Sequence, residues 1–138
     1  MIRYGLVAAA LLAALAACRS PAHHRVDVRA LGPYSGSVGA GDLVFLSGKV
    51  GSQRDGTFEE EVASALDAVE AELDRAALDL EDLVSVTVFL TDMAHYDAFN
   101  AVYSERVPEP WPARTCVAVA ALPGGARVEI RSVAWRSP

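Results

Sequence analysis

Hydrophobic and polar positions along this chain follow two rhythms, one near 3.6 residues and one of two. The longer rhythm is clearest over residues 57–77, where Phe58, Val62, Leu66, Val69 and Leu73 recur every three or four positions and predict a helix with one apolar stripe. Thr57 with Glu60 predicts a capping box at its start. Glu59, Glu60 and Glu61 suit the positive end of the helix dipole and read as a solvated face. A second helix is expected from about Ala94 to Arg106, with Tyr96, Phe99, Val102 and Tyr103 turned inward. It cannot continue through "VPEPWP", because Pro108, Pro110 and Pro112 lack the amide donor.

The shorter rhythm predicts strands. Val26–Leu31 alternates, "GPYSGSVGAGD" reads as a glycine-rich bend, and Leu43–Ser47 is a continuous apolar strand closed by Gly48. Val84, Val86, Val88 and Leu90 share one side of a further strand, with Ser85, Thr87 and Phe89 on the other. "PARTCVAVAALPGGARVEI" predicts a closing hairpin that turns at Pro123-Gly124-Gly125. The order ββαβαββ predicts an α+β domain whose two helices cover one face of its sheet.

Composition changes this picture at the N-terminus. The chain has 138 residues, 52% hydrophobic and 22% charged, which suits one compact domain. Part of that hydrophobicity is not fold. After Arg3, an apolar run from Gly5 to Cys18 is too short to span a bilayer comfortably and has the build of a secretory signal. Leu15-Ala16-Ala17-Cys18 resembles the bacterial lipobox, which implies lipid attachment to the Cys18 thiol and cleavage before it; the competing readings are an ordinary cleaved signal with Cys18 incidental and a wrongly chosen start codon. Residues 1–17 are then a lipoprotein signal peptide, 18–25 a lipidated cysteine and tether, and 26–138 the folded domain. Several acyl chains on one residue give stable anchoring. The expected location is that of an exported bacterial lipoprotein, on the cell membrane or the periplasmic face of the envelope.

Charge and cysteine usage then exclude several classes. Loss of residues 1–17 removes Arg3 and no acid, taking the net charge from −6 to −7. Lys49 is the single lysine and there is no basic run, which argues against nucleic-acid binding by phosphate neutralisation. Lipidation of Cys18 leaves Cys116 without a disulfide partner. His23, His24 and His95 form no ligand cluster, so neither a metal nor another cofactor is expected.

Several separated motifs resemble the RidA/YjgF family, also called the L-PSP endoribonuclease family. They are Gly32-Pro33-Tyr34-Ser35, Leu43-Val44-Phe45-Leu46-Ser47-Gly48, Thr87-Val88-Phe89-Leu90-Thr91-Asp92-Met93 and Asn100-Ala101-Val102-Tyr103. The strongest is Pro112-Ala113-Arg114-Thr115-Cys116-Val117, followed by Leu122-Pro123 and Val128-Glu129-Ile130. The resemblance implies a chorismate-mutase-like fold with a mixed sheet, a homotrimer with a cleft between each pair of subunits, and no cofactor. It implies hydrolysis of small imine or enamine acids, such as 2-aminoacrylate, to 2-keto acids and ammonia. Carried onto this chain, Arg114 would bind the substrate carboxylate and Glu129 would hold the hydrolytic water. The backbone amides of Gly48 and Cys116 would lie near the substrate, and Tyr34 and Asn100 would line the cleft. Lys49 stands where the family usually has Gln, and the 50–58 connection is shorter than usual.

The chemistry is self-consistent. A guanidinium offers a carboxylate two parallel donors, and an imine carbon needs only a placed water and a group to shuttle its proton. Each residue also has a structural alternative: Arg114 pairing with a neighbouring subunit's acid, Glu129 in an ion-pair ladder with Arg127 and Arg131, Cys116 as small packing, Tyr34 pinning the bend, Asn100 as a cap or core hydrogen bonder. The rival function is a non-catalytic exported module that binds a small carboxylate or an envelope partner. RNA cleavage, suggested by the family's older name, fits poorly with the negative charge.

Overall fold

The computed structural model describes residues 24–26 and 32–137. The signal-like segment, Cys18, most of the tether and the predicted strand beyond Val26 lie outside the described residues. Strand β1 (His24–Val26) takes its first two residues from the predicted tether. Then follow β2 (Ser37–Ala40), β3 (Leu43–Val50), α1 (Phe58–Arg75), β4 (Leu83–Leu90), α2 (Tyr96–Arg106), β5 (Ala113–Ala118) and β6 (Val128–Trp135). The fold is α+β, with one six-stranded mixed sheet in the order β1-β2-β3-β6-β4-β5.

Helix α1 forms where the apolar stripe lies. Its capping box is present: Thr57 Oγ1 accepts from Glu60 N at 3.2 Å, and Glu60 Oε2 accepts from Thr57 N at 2.8 Å. Phe58, Val62, Leu66, Val69 and Leu73 are buried against Val44, Leu46, Val86, Val88, Leu90 and Ile130 of the sheet. Phe99 and Tyr103 of α2 join the same core, whereas Tyr96 is exposed. Glu61 departs from the solvated-face reading, being fully buried on Arg127.

Four further predictions change. The glycine-rich bend contains β2, which pairs antiparallel with β3 across a turn at Gly41, whose φ of 63° suits glycine. Strand β3 runs on through Gly48 to Val50, with its pairing to β6 shifting register between Leu46 and Lys49. The closing hairpin does not form, because β4 lies between β5 and β6. It pairs parallel with β5, aligning Val86 with Arg114, and antiparallel with β6, aligning Phe89 with Glu129. Helix α2 supplies the crossover that a parallel pair requires. A register shift between Leu83 and Ser85 also turns Val84 outward, while Val86, Val88 and Leu90 stay buried as their alternation predicts.

Candidate functional site

The parity of β4 decides which way the neighbouring side chains face. Val86 and Val88 are buried against the helices, so Arg114 and Cys116, their partners on β5, face the helices too. Phe89 faces the other way, and with it Glu129. The predicted carboxylate-binding arginine and water-holding carboxylate therefore lie on opposite faces of one sheet.

Arg114 is half-buried at the edge of the helix layer. Its NH2 donates to Asn100 Oδ1 at 2.6 Å, which fixes the guanidinium, and its Cζ lies 4.8 Å from the Tyr103 ring centroid. Arg114, Asn100, Tyr103, Asp97, Ser104 and Trp111 line an open hollow of about 410 Å³. Its arginine has a neutral amide as partner, so its charge is oriented without being neutralised. Tyr103, which the helical spacing turns inward, also reaches this hollow. Its hydroxyl is buried without a hydrogen-bond partner among the described residues, and burial raises its pKa against the opposing charge of Arg114. The available signal was its spacing three residues after Asn100, which puts both on one helical face.

Cys116 is half-buried, packs against the core and lines neither hollow. Burial raises its thiol pKa despite the nearby Arg114 charge, the opposite of an activated nucleophile.

The second hollow, also about 410 Å³, lies on the sheet face away from the helices and is lined by Tyr34, Ser47, Gly48, Pro123, Glu129 and Arg131 among others. The carboxylate of Glu129 lies over the bare α-carbon of Gly48, where a Cβ would overlap it. A side chain at position 48 would displace the carboxylate from this seat. Glu129 has no ion-pair partner among the described residues, and burial raises its pKa. The ladder with Arg127 and Arg131 is not formed, because Arg127 is engaged by Glu61 instead. Tyr34 is half-exposed at the rim. Ser47 Oγ donates to Ser35 O at 2.6 Å and ties the bend that carries Tyr34 to β3.

Two departures noted in the sequence also find their place. Lys49 turns to the helix face and donates to Glu72 Oε2 at 2.8 Å, away from Glu129. Ser37 and Arg75 also donate to Glu72. Burial alone would raise the Glu72 pKa, but these donors and the charges of Lys49 and Arg75 outweigh it and hold the pKa below the usual value. The short 51–57 connection is held by Ser52 N on Ser64 Oγ and by Arg54 on the carbonyl of Gly124. Among the described residues there is no cluster of His, Cys, Asp and Glu fit to hold a metal.

Residues 24–136 match the Endoribonuclease L-PSP family profile. The chain belongs to the L-PSP (RidA/YjgF) family. It is 39% identical over 110 residues to the mitochondrial protein mmf2 of Schizosaccharomyces pombe, covering 75% of this chain and 87% of that one. It is similar also to the 2-iminobutanoate/2-iminopropanoate deaminase of Dermatophagoides farinae, at 35% identity over 109 residues, 75% of this chain and 85% of that one. Its fold matches the crystal structure of RidA from the Antarctic bacterium Psychrobacter sp. with a TM-score of 0.73 at 32% identity, covering 85% of this chain and 98% of that one. These matches agree with the α+β fold and the family expected from the motifs.

Proposed function

We propose that this protein hydrolyses small 2-imino or 2-aminoacrylate-type acids to 2-keto acids and ammonia, in clefts built between protomers of a homotrimer. The observation that carries the reading is Glu129: an unpaired carboxylate, its pKa raised by burial, seated over Gly48 in an open hollow. Such a group holds a water, takes its proton as it adds to the imine carbon, and returns a proton to the departing nitrogen. Orientation of that water lowers the barrier by meeting its entropic cost before the chemical step. Arg114, held by Asn100, grips the substrate carboxylate with its remaining donors.

One chain cannot bring Arg114 and Glu129 together across its own sheet, so the complete site takes Arg114 from one protomer and Glu129 from its neighbour. The face that carries Glu129 favours association: Leu43, Phe45, Val117 and Trp135 are 37–44% exposed on it in a single chain, and β5 is the last strand of the sheet among the described residues. A relative named as an iminobutanoate/iminopropanoate deaminase supports the chemistry.

The test is ammonia release from freshly generated 2-aminoacrylate by the purified mature protein. Turnover that vanishes in Arg114→Ala and in Glu129→Gln supports the proposal. Wild-type turnover at the buffer rate, with carboxylate binding retained, would make the protein a binding module.

The N-terminal segment supports a further element of the proposal, a lipid anchor on Cys18 facing the outside of the membrane. Among the described residues no helix is long and apolar enough to cross a membrane. Cys18→Ser protein should leave the membrane fraction; equal retention would count against the anchor.

A further inference from the structure

We propose that Arg131 makes the Glu129 hollow selective for imino acids that carry a second carboxylate at the end of a short side chain. The inference rests on the hydrolytic reading and names the substrate class of that same site.

Arg131 stands out by what it lacks. Arg54, Arg75, Arg106, Arg114, Arg127 and Arg136 each donate to a side-chain or backbone acceptor. The Arg131 side chain makes no hydrogen bond and no ion pair among the described residues, yet it lines the hollow that holds Glu129. The two share a face of β6 at a spacing of two residues, roughly 7 Å along the strand. They are not paired with each other, and the upward push on Glu129 comes from burial with no offset from a cation. A free cation and a free carboxylate thus border one hollow.

The surroundings keep this guanidinium available. The register shift of β3 sets Ser47 and Gly48 against Arg131, and the aligned residue on β4 is Thr87; none is an acid. A ligand placed with its imine carbon at Glu129 and its α-carboxylate on the neighbouring protomer's guanidinium would extend its side chain along β6 toward Arg131. One or two methylenes and a carboxylate match that reach, as in 2-iminosuccinate or 2-iminoglutarate. The planar fork of arginine suits such a terminus better than a point charge.

Two measurements on the full oligomeric protein test this. The first is equilibrium binding of the unreactive probes succinate and propionate by calorimetry, which does not depend on turnover. Succinate should bind about tenfold or more tightly than propionate, as expected for an added charge-assisted contact. Arg131→Gln should abolish that preference with propionate affinity unchanged, and Arg131→Lys should restore part of it. The second compares kcat/KM for freshly generated 2-iminosuccinate and 2-iminopropanoate, where the same ratio should collapse in Arg131→Gln.

Equal wild-type affinity for the two probes would overturn the proposal. So would an Arg131→Gln oligomer that keeps the preference, or a guanidinium found locked on a neighbouring protomer's acid. Should Arg131→Gln dissociate, the wild-type preference and its persistence in Arg131→Lys decide the matter. A succinate preference without turnover of either imine would uphold the anion site and reject the hydrolase instead.

Discussion

Truncating Arg127 to alanine tests whether the buried clasp beneath the Glu129 strand holds the fold together. Glu61 is wholly buried and accepts from Arg127 twice, from the backbone N at 2.7 Å and from Nε at 2.5 Å. Arg127 NH2 also donates to the carbonyls of Gly56 and Thr57, both at 3.1 Å, so one side chain joins β6 to the start of α1. Alanine removes three hydrogen bonds and leaves a buried carboxylate short of its counter-charge. Breaking such a pair from one side costs about 3–5 kcal/mol. Two features favour the lower end: the backbone donor to Glu61 survives, and the Arg127 side chain is 31% exposed, which admits water and screens the charge. The expected loss is about 3 kcal/mol, roughly 12 °C in Tm for a domain of this size. Urea unfolding at pH 7, with an unchanged slope, is the assay. Arg106→Ala is the control: its partners Asp67 and Glu70 are 65% and 37% exposed, so its loss should stay below about 1 kcal/mol. Equal losses in the two variants, or an Arg127→Ala loss under about 1 kcal/mol, would refute the reasoning.

Glu129→Gln should abolish turnover and at the same time raise Tm at neutral pH, because the folded state disfavours the ionised, unpaired carboxylate; a lowered Tm would contradict this. For the same reason the acid limb of kcat/KM should lie above the ordinary carboxylate range, and in an Arg114→Lys protein it should stay there, since burial causes the shift. Asn100→Ala should raise KM about tenfold with a smaller fall in kcat, by releasing the guanidinium from its 2.6 Å anchor, and steady-state kinetics would show the split. Glu72 has a folded-state pKa below its unfolded value, so its contribution to stability is present above the ordinary carboxylate pKa and lost as pH falls through the depressed one. Chemical unfolding between pH 6 and 3 should show that decline, reduced in Lys49→Met, which removes one of the groups holding the pKa down.

Local signals carried part of this structure and nonlocal pairing carried the rest. Helix α1 was legible because its stripe, its capping box and its acidic first turn all lie within a few residues of one another. Strand β2 was not, since Ser37-Val38-Gly39-Ala40 sits among glycines and becomes a strand only through its partner β3. The hairpin expected after Arg114 was plausible from neighbouring strands and a Pro-Gly-Gly turn, but neighbours in sequence need not pair. The strand–helix–strand run from Leu83 to Ala118 was the available clue to a parallel pair. Likewise the residue types Arg114 and Glu129 were legible as chemistry. Their separation by the sheet was not, because facing depends on the register each strand keeps with β4.

That separation has a genetic consequence. A chain with alanine at 114 still presents an intact carboxylate, and a chain with glutamine at 129 still presents an intact guanidinium. On the proposed reading, in which each cleft joins two protomers, neither variant would work alone, but unfolding the two inactive proteins together and letting them reassociate should revive a fraction of the clefts. Coexpressed inactive alleles would then complement one another.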